Sequence, residues 1–129
     1  MDRKFDLKDR TLKFAIDALS LANKISTSKR SLASNILVSQ FVRAATSIGA
    51  NYREADCAES RKDFAHKIGI CKKEANETKY WLELLANDLP SISTETGRMS
   101  VEAGELMRIF VVIAKRTKNS SVGNDSIRN

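Results

Sequence analysis

Residues 60–90 read SRKDFAHKIGICKKEANETKYWLELLANDLP, and this stretch decides the fold. Small or apolar residues recur in it every three or four positions. They are Phe64, Ile68, Cys71, Ala75, Thr78, Leu82, Leu85 and Leu89. This spacing is the period of an α-helix that buries one side. Ser60 followed by Asp63 resembles a capping box at the start of the helix, and Pro90 closes it.

Three further segments of the chain show the same helical period. In residues 7–25 the predicted core face consists of Leu12, Ala15, Ile16, Leu19, Ala22 and Ile25. In residues 31–55 the predicted core face consists of Leu37, Phe41, Ala44, Ile48, Asn51 and Ala55. The last segment begins between Thr94 and Ser100, and its predicted core face consists of Met99, Ala103, Leu106, Phe110, Ile113 and Thr117.

The four segments predict an all-α protein. No stretch alternates between apolar and polar residues for long, so we expect no sheet. Short connections between long helices favour an antiparallel, up-down-up-down four-helix bundle. We expect residues 1–118 to form this single domain and residues 119–129 to form a flexible, polar C-terminal tail.

Composition limits the class of protein and its partners. The chain has 129 residues, of which 42% are hydrophobic and 29% are charged, as in soluble globular proteins. Its net charge is +6, which permits contact with nucleic acid or an acidic surface without demonstrating it. No N-terminal signal peptide and no membrane-spanning stretch is predicted. Cys57 and Cys71 are predicted to lie too far apart for a disulfide, so a cytoplasmic protein with reduced thiols is expected.

The second segment carries very few charges. Between residues 31 and 52 the only charged side chain is Arg43, whereas a surface helix normally keeps a charged outer face. A second apolar flank lies beside its core face, and we predict that this flank is buried between subunits of a homo-oligomer. The predicted interface residues are Val38, Val42, Ala45, Tyr52 and Trp81. The alternative is a wide core face with a mildly apolar surface.

The other side of the second segment carries a polar stripe of Gln40, Arg43, Ser47, Asn51 and Glu54. If the second and third helices are antiparallel about a turn near residues 58–59, residues that face each other have numbers that sum to roughly 117. Arg43 is then level with Glu74. An arginine beside a carboxylate in such a seam is more often a structural pair than a catalytic one.

Residues 40–54, QFVRAATSIGANYRE, resemble the pattern Q-x-x-R-A-x-x-S-I-x-A-N-x-x-E of a family of bacterial four-helix bundle proteins. That family was first noticed as open reading frames inside intervening sequences of large-subunit ribosomal RNA genes. Residues of the third segment also fit the family's pattern, namely Ser60, Phe64, Glu74, Glu77 and Leu82. Ala55 departs from the pattern, because many members have glycine there.

The resemblance implies an up-down four-helix bundle that assembles as a homopentamer. It also implies similarity to the accessory protein of diversity-generating retroelements, which is basic, pentameric and associated with nucleic acid and a reverse transcriptase. No catalytic residues are established for the family, so the resemblance assigns none here. It supports the polar stripe as a set of bundle and interface residues.

Sequence motifs for catalysis, cofactors and metals are missing. His66 is the only histidine, and Asp63-x-x-His66 is one half of a di-iron pattern that needs a second such pair. There is no CxxC pair, no GxGxxG, no GxxxxGK[ST] and no GxSxG. We therefore expect no enzyme activity, no cofactor and no metal.

Basic residues give the remaining functional signal. The candidate contacts with DNA or RNA are Lys62, Lys72, Lys73 and Lys79 in the third helix and Lys115, Arg116 and Lys118 at the end of the fourth. The alternative is an ordinary solvated surface with cations placed near a helix C-terminus. The leading hypothesis is a homo-oligomeric bundle that binds nucleic acid without sequence preference. The rival hypothesis is an oligomeric scaffold for a protein partner, for example a polymerase.

Overall fold

The computed structural model describes the backbone of residues 6–26 and 31–128, and the side chains of residues 6–25 and 31–119. Four α-helices follow one another: α1 (Leu7–Ser26), α2 (Leu32–Asp56), α3 (Arg61–Asp88) and α4 (Ser93–Arg128). A single 3-10 turn, Pro90–Ile92, joins α3 to α4. The described backbone contains no strand, which confirms the all-α prediction.

Side-chain caps define where the helices begin. Ser31 accepts a hydrogen bond from the Ser34 amide, and the Ser34 hydroxyl accepts one from the Ser31 amide, which completes a capping box. The Ser60 hydroxyl accepts a hydrogen bond of 3.0 Å from the Asp63 amide at the start of α3. These caps satisfy backbone donors that the first turn of a helix leaves free. The predicted tight turn before Ser60 therefore separates α2 from α3.

The helices pack as an antiparallel bundle in which α3 is the best-covered element. α2 packs along α3, α3 packs along α4, and α1 packs along α2 but touches α4 at few points. The core is aliphatic and aromatic, with Phe41 and Phe110 as its largest fully buried side chains. Burying each such side chain contributes about 1.5–3 kcal/mol through the hydrophobic effect.

The predicted core face of α1 is wrong for three of its four large members and right for the fourth, Ile25, which is fully buried. Leu12, Ile16 and Leu19 are 45%, 55% and 48% exposed. The face that is buried consists of Leu7, Thr11, Phe14, Ala18, Leu21 and Ile25. Two apolar stripes of α1 have helical spacing, and the helical period alone does not say which one enters the core. The buried stripe contains Thr11 and Ala18, small side chains that let α1 approach α2 closely.

The predicted subunit interface on α2 is also wrong for Val38 and Ala45. They are 6% and 0% exposed in a single chain, because α1 packs on this flank. The contact is close: a Cβ atom added to Gly49 would lie 3.2 Å from the Thr11 hydroxyl oxygen. The other predicted interface residues, Val42, Tyr52 and Trp81, are partly buried and pack against the same core. This flank is therefore core, and no second chain is needed to cover it.

The fourth helix is longer than predicted. Its backbone begins at Ser93 and continues to Arg128, through the segment for which an irregular tail was expected. The division of the chain at residue 118 stays a prediction. Within the described residues, no helix combines the length and the apolar character that crossing a membrane requires.

Candidate functional site

Arg43 is the centre of a polar network between α2 and α3. One guanidinium nitrogen lies 3.3 Å from both carboxylate oxygens of Glu74, and another donates to Glu77. Arg43 Nε donates to Gln40 Oε1 at 3.3 Å. The Trp81 indole nitrogen donates to the same Glu77 oxygen at 3.2 Å. The register predicted for Arg43 and Glu74 is the one the structure has, and the network ties the two helices together at mid-length.

The remaining members of the polar stripe do not join this network. The Ser47 hydroxyl donates to the Arg43 carbonyl at 2.6 Å, and the Asn51 amide donates to the Ser47 carbonyl at 2.9 Å. Both side chains thus bond to their own helix. Glu54 pairs with Lys67 of α3 at 3.2 Å. The stripe is therefore three separate structural features and not one site.

A second polar cluster, which the sequence did not predict, connects α1 to α4. Arg10 donates to both carboxylate oxygens of Glu102, at 2.8 and 2.7 Å, and to Glu105 at 2.6 Å. This two-pronged geometry suits a guanidinium group and is among the stronger ion-pair arrangements. Hydrogen bonding to Glu102 raises the pKa of Arg10. The residues are 92 positions apart, so no local pattern signals the contact.

A cleft of about 540 Å³ opens between α1 and α4 beside this cluster. Its apolar floor is formed by Phe14, Leu21 and Met99. Its rim carries three cations and three carboxylates: Lys13, Lys24, Arg98, Asp17, Glu95 and Glu102. Lys24 pairs with Glu95 at 3.0 Å, and this hydrogen bond lowers the pKa of Glu95. The balanced rim gives the cleft no preference for an anionic or a cationic ligand.

The described residues contain no group of three or more His, Cys, Asp and Glu placed to hold a metal ion. Cys71 is buried, and its thiol lies 3.6 Å from the Ile48 carbonyl oxygen as a hydrogen-bond donor. Burial raises the pKa of the Cys71 thiol to about 12. Since the thiolate is the reactive form, Cys71 is a packing residue at neutral pH. Cys57 lies exposed at the end of α2.

The cations of the bundle fall into two groups according to their partners. One group pairs with carboxylates and consists of Arg10, Lys13, Lys24, Arg43 and Lys67. The other group makes no ion pair within 4.0 Å among the side chains of residues 6–25 and 31–119. Lys8 in α1 and Arg53 in α2 belong to it. Its members on α3 and the C-terminal half of α4, which we call the basic face, are Lys62, Lys72, Lys73, Lys79, Arg108, Lys115 and Lys118.

Helix geometry places the basic face on the outer side of α3 and along the groove between α3 and α4. Lys79 marks the groove, since its Nζ atom lies 3.5 Å from the position of a Cβ atom on Gly104. Lys72 is seven residues before Lys79 and so lies on the same side of α3. Arg108, Lys115 and Lys118 lie 4, 11 and 14 residues after Gly104, within about 40° of it on the helix.

Carboxylates are scarce along this face as far as Lys79, and Glu83 lies one turn beyond it. Residues 106–119 of α4 contain no Asp or Glu. Of the carboxylates in the first five turns of α3, Glu74 and Glu77 are directed to Arg43 on α2. The candidate Arg116 is the exception among the predicted contacts, because it lies beside Arg61 and Phe64 at the α2–α3 turn, on another side of α4. Arg108 is not among the contacts predicted from the sequence, although its spacing of seven residues from Lys115 places the two on the same side of α4.

Comparisons with known proteins agree with this architecture. A family model described as 23S rRNA-intervening sequence protein matches residues 5–111. Among solved structures, the chain is similar to a protein with unknown function from the S23 ribosomal protein family of Bacteroides thetaiotaomicron VPI-5482. The two are 36% identical with a TM-score of 0.76, over 84% of this chain and 97% of that chain. No curated protein matches the chain. By its sequence match and its four-helix fold, the chain belongs to the 23S rRNA-intervening sequence protein family.

Proposed function

We propose that this protein is a non-catalytic helical bundle that binds nucleic acid through the basic face. The observation that carries the proposal is the clustering on α3 and α4 of cations that make no ion pair among the described side chains, whereas Arg10, Lys24 and Arg43 each contact a carboxylate. A cation that already contacts a carboxylate has much of its charge compensated. Unpaired lysines keep their charge available for phosphate groups.

The chemistry of the basic face favours binding without sequence preference. Its members are mostly exposed lysines, which act as point charges toward phosphate oxygens. Neutralised phosphates release bound counterions, so the affinity should fall steeply as the salt concentration rises. The family description, which links these proteins to intervening sequences of 23S rRNA, fits a role beside nucleic acid.

Fluorescence anisotropy with a labelled 30-nucleotide RNA tests the proposal. The variant is the triple substitution Lys72→Gln, Lys115→Gln and Lys118→Gln. The matched control is Lys8→Gln, Lys13→Gln and Lys24→Gln in α1, which removes the same charge from another side. We expect the slope of log affinity against log salt concentration to become shallower by about 2–3 in the variant and to change little in the control. Equal losses in both variants would show that only net charge matters and would refute the assignment to this face.

A second candidate function, self-assembly, is favoured by a different surface. Leu12, Ile16 and Leu19 form an exposed ridge along α1, at the spacing of successive helix turns. Exposed apolar side chains that line up in this way are typical of a protein interface. We propose that the ridge packs against a second copy of the chain, and that the homopentamer implied by the sequence resemblance uses it.

Multi-angle light scattering measures this assembly directly. Ile16→Glu should lower the molar mass to that of a 14.4 kDa protomer while the helical content stays unchanged. The basic-face triple variant should keep the wild-type mass. A wild-type protein that is monomeric at micromolar concentration would refute the assembly. Binding of a polymerase that persists at high salt, with no binding of RNA, would favour the scaffold role over the nucleic-acid role.

A further inference from the structure

An outward line of six residues runs along α3 at steps of four and three. Its members are Lys62, His66, Gly69, Lys73, Asn76 and Tyr80. Lysines stand at its beginning and middle, and the line contains no carboxylate. At a rise of 1.5 Å per residue the line is about 27 Å long, and Lys73 lies about 10 Å from Tyr80 along the helix. It follows the outer side of the basic face.

Tyr80 is the unusual member, because it is a large aromatic side chain that is 53% exposed. Its ring packs edge-to-face with the Trp81 ring at 5.1 Å between centroids and 62° between planes. Trp81 is held in turn by its hydrogen bond to Glu77. Tyr80 therefore has one neighbour that positions the ring, while much of its surface stays open to a ligand.

We propose that Tyr80 stacks on a nucleobase, and that the ligand of the basic face is a single-stranded nucleic acid whose phosphates follow the line toward Lys73 and Lys62. This inference rests on the proposed nucleic-acid function. In a duplex the faces of the bases are covered by their neighbours, so an aromatic side chain on a convex helix surface cannot reach them without unstacking. A single strand presents base faces and phosphates together, which is what a cationic line with an aromatic end recognises.

The charges beyond Tyr80 indicate where the binding site for the strand ends. Glu83, an exposed carboxylate one turn after Tyr80, repels phosphate at that end. Lys79, next to Tyr80 in sequence, lies on the α4 side over Gly104. The strand is thus confined to the section between Tyr80 and Lys62 and the adjoining groove. A length of about 27 Å is in keeping with a short site of several nucleotides.

Three labelled probes separate stacking from phosphate binding: dT12, an abasic 12-mer with the same phosphates and no bases, and a 12-base-pair duplex. We expect wild-type protein to bind dT12 about tenfold more tightly than the abasic strand at equal salt. Tyr80→Ala should remove this difference and leave the salt slope unchanged, because it removes no charge. Tyr80→Phe should restore dT12 binding, because the ring is sufficient for stacking. Tyr80 is exposed, so both variants should keep the wild-type thermal midpoint.

Trp81 supplies a second readout, since it is the only tryptophan of the chain and lies against Tyr80. Its fluorescence should change when dT12 binds and stay constant with the abasic strand. Equal affinity for dT12 and the abasic strand, or for Tyr80→Ala and wild type, would overturn the inference. If the basic-face triple variant loses RNA binding in the same assay, the proposed function stands without the stacking role. If Tyr80→Ala changes only the molar mass of the assembly, this face serves a protein contact and the inference is wrong.

Discussion

Cations beside one flank of α4 are paired with carboxylates, and cations beside the other flank are unpaired within the described part of the bundle. On the flank that meets α1, Arg10 and Lys24 lie against Glu102 and Glu95 within hydrogen-bond distance. On the flank that meets α3, cations such as Lys72 and Lys115 have no carboxylate partner among the described side chains. The net charge of +6 is therefore a poor guide to where the protein attracts an anion. What decides it is whether each cation is already paired.

The α1–α2 and α3–α4 contacts also differ in the side chain that lies against a glycine of the partner helix. α1 and α2 meet through small residues, with Thr11 against Gly49. At Gly104 of α4 the Lys79 side chain of α3 lies over the helix, with its Nζ atom 3.5 Å from the position of an added Cβ atom. At the first contact a small side chain lies between the two helices, and at the second a lysine side chain lies between them. Four pairs of substitutions compare the α1 side of the bundle with its exposed surfaces and its α3–α4 side.

The largest effect is expected from Phe14→Ala on the buried side of α1. Phe14 is 2% exposed, so its removal leaves a cavity and should lower the free energy of unfolding by about 3–5 kcal/mol. Ile16→Ala on the exposed ridge is the matched control and should cost less than about 0.5 kcal/mol in the monomer. Urea unfolding at low protein concentration measures both. The reverse order would mean that the other stripe of α1 faces the core.

A charge placed under α1 should have the next largest effect. Ala45→Glu buries a carboxylate without a partner and should cost about 3 kcal/mol or more. Ala50→Glu, five residues later on the exposed side of α2, should be nearly neutral. Thermal unfolding followed by circular dichroism distinguishes the two. If Ala45→Glu dissociates an oligomer and leaves the protomer at wild-type stability, α1 does not cover this flank.

Removing one cation from each flank of α4 compares paired with unpaired charge. Arg10→Met should cost about 1 kcal/mol, because it breaks the two-pronged bond to Glu102 and leaves Glu105 without this partner. Lys115→Met should leave stability unchanged to within about 0.5 kcal/mol. The Arg10→Met effect should shrink in 1 M NaCl, since salt screens partly exposed pairs. Equal effects of the two substitutions would remove the distinction between the flanks.

The smallest effects come from alanine at two glycines. Gly69→Ala places its Cβ atom in open space and should stabilise α3 by about 0.5–1 kcal/mol through helix propensity. Gly49→Ala gains the same propensity but presses on Thr11, so its net effect should be smaller or destabilising. Chemical unfolding of both variants in one buffer gives the comparison. A stabilisation at Gly49 as large as at Gly69 would show that the α1–α2 contact is loose.

The sequence was sufficient for the helices and insufficient for some of their faces. The unbroken period of residues 64–89 predicts α3, and capping chemistry predicts its start at Ser60, because both are local properties. The face of α1 was wrong because Leu12, Ile16 and Leu19 obey the helical period as well as the stripe that is buried. Choosing between them requires the shape of α2, which a linear pattern does not contain.

The candidate sites also differ in whether local sequence spacing predicts their contacts. The pairing of Arg43 with Glu74 followed from helix register, since the α2–α3 turn is short and fixes which residues are level. The Arg10 contacts join the two ends of the chain, so register gave no information about them. The unpaired state of the basic face is a property of three-dimensional neighbours. The sequence identified the basic residues of this face but not their lack of carboxylate partners.

The light contact between α1 and α4 makes α1 the helix whose release breaks the fewest tertiary contacts. Regions of this kind open in partial unfolding events that leave the remaining core intact, and their amide protons exchange with solvent faster than those of the centre. When α1 opens, Val38 and Ala45 of α2 become accessible. The α1 helix of a second copy can then pack on them, because it has the same buried face. An exchange of α1 between two protomers would close both bundles again. The light contact between α1 and α4 thus offers a route to intertwined dimers at high protein concentration.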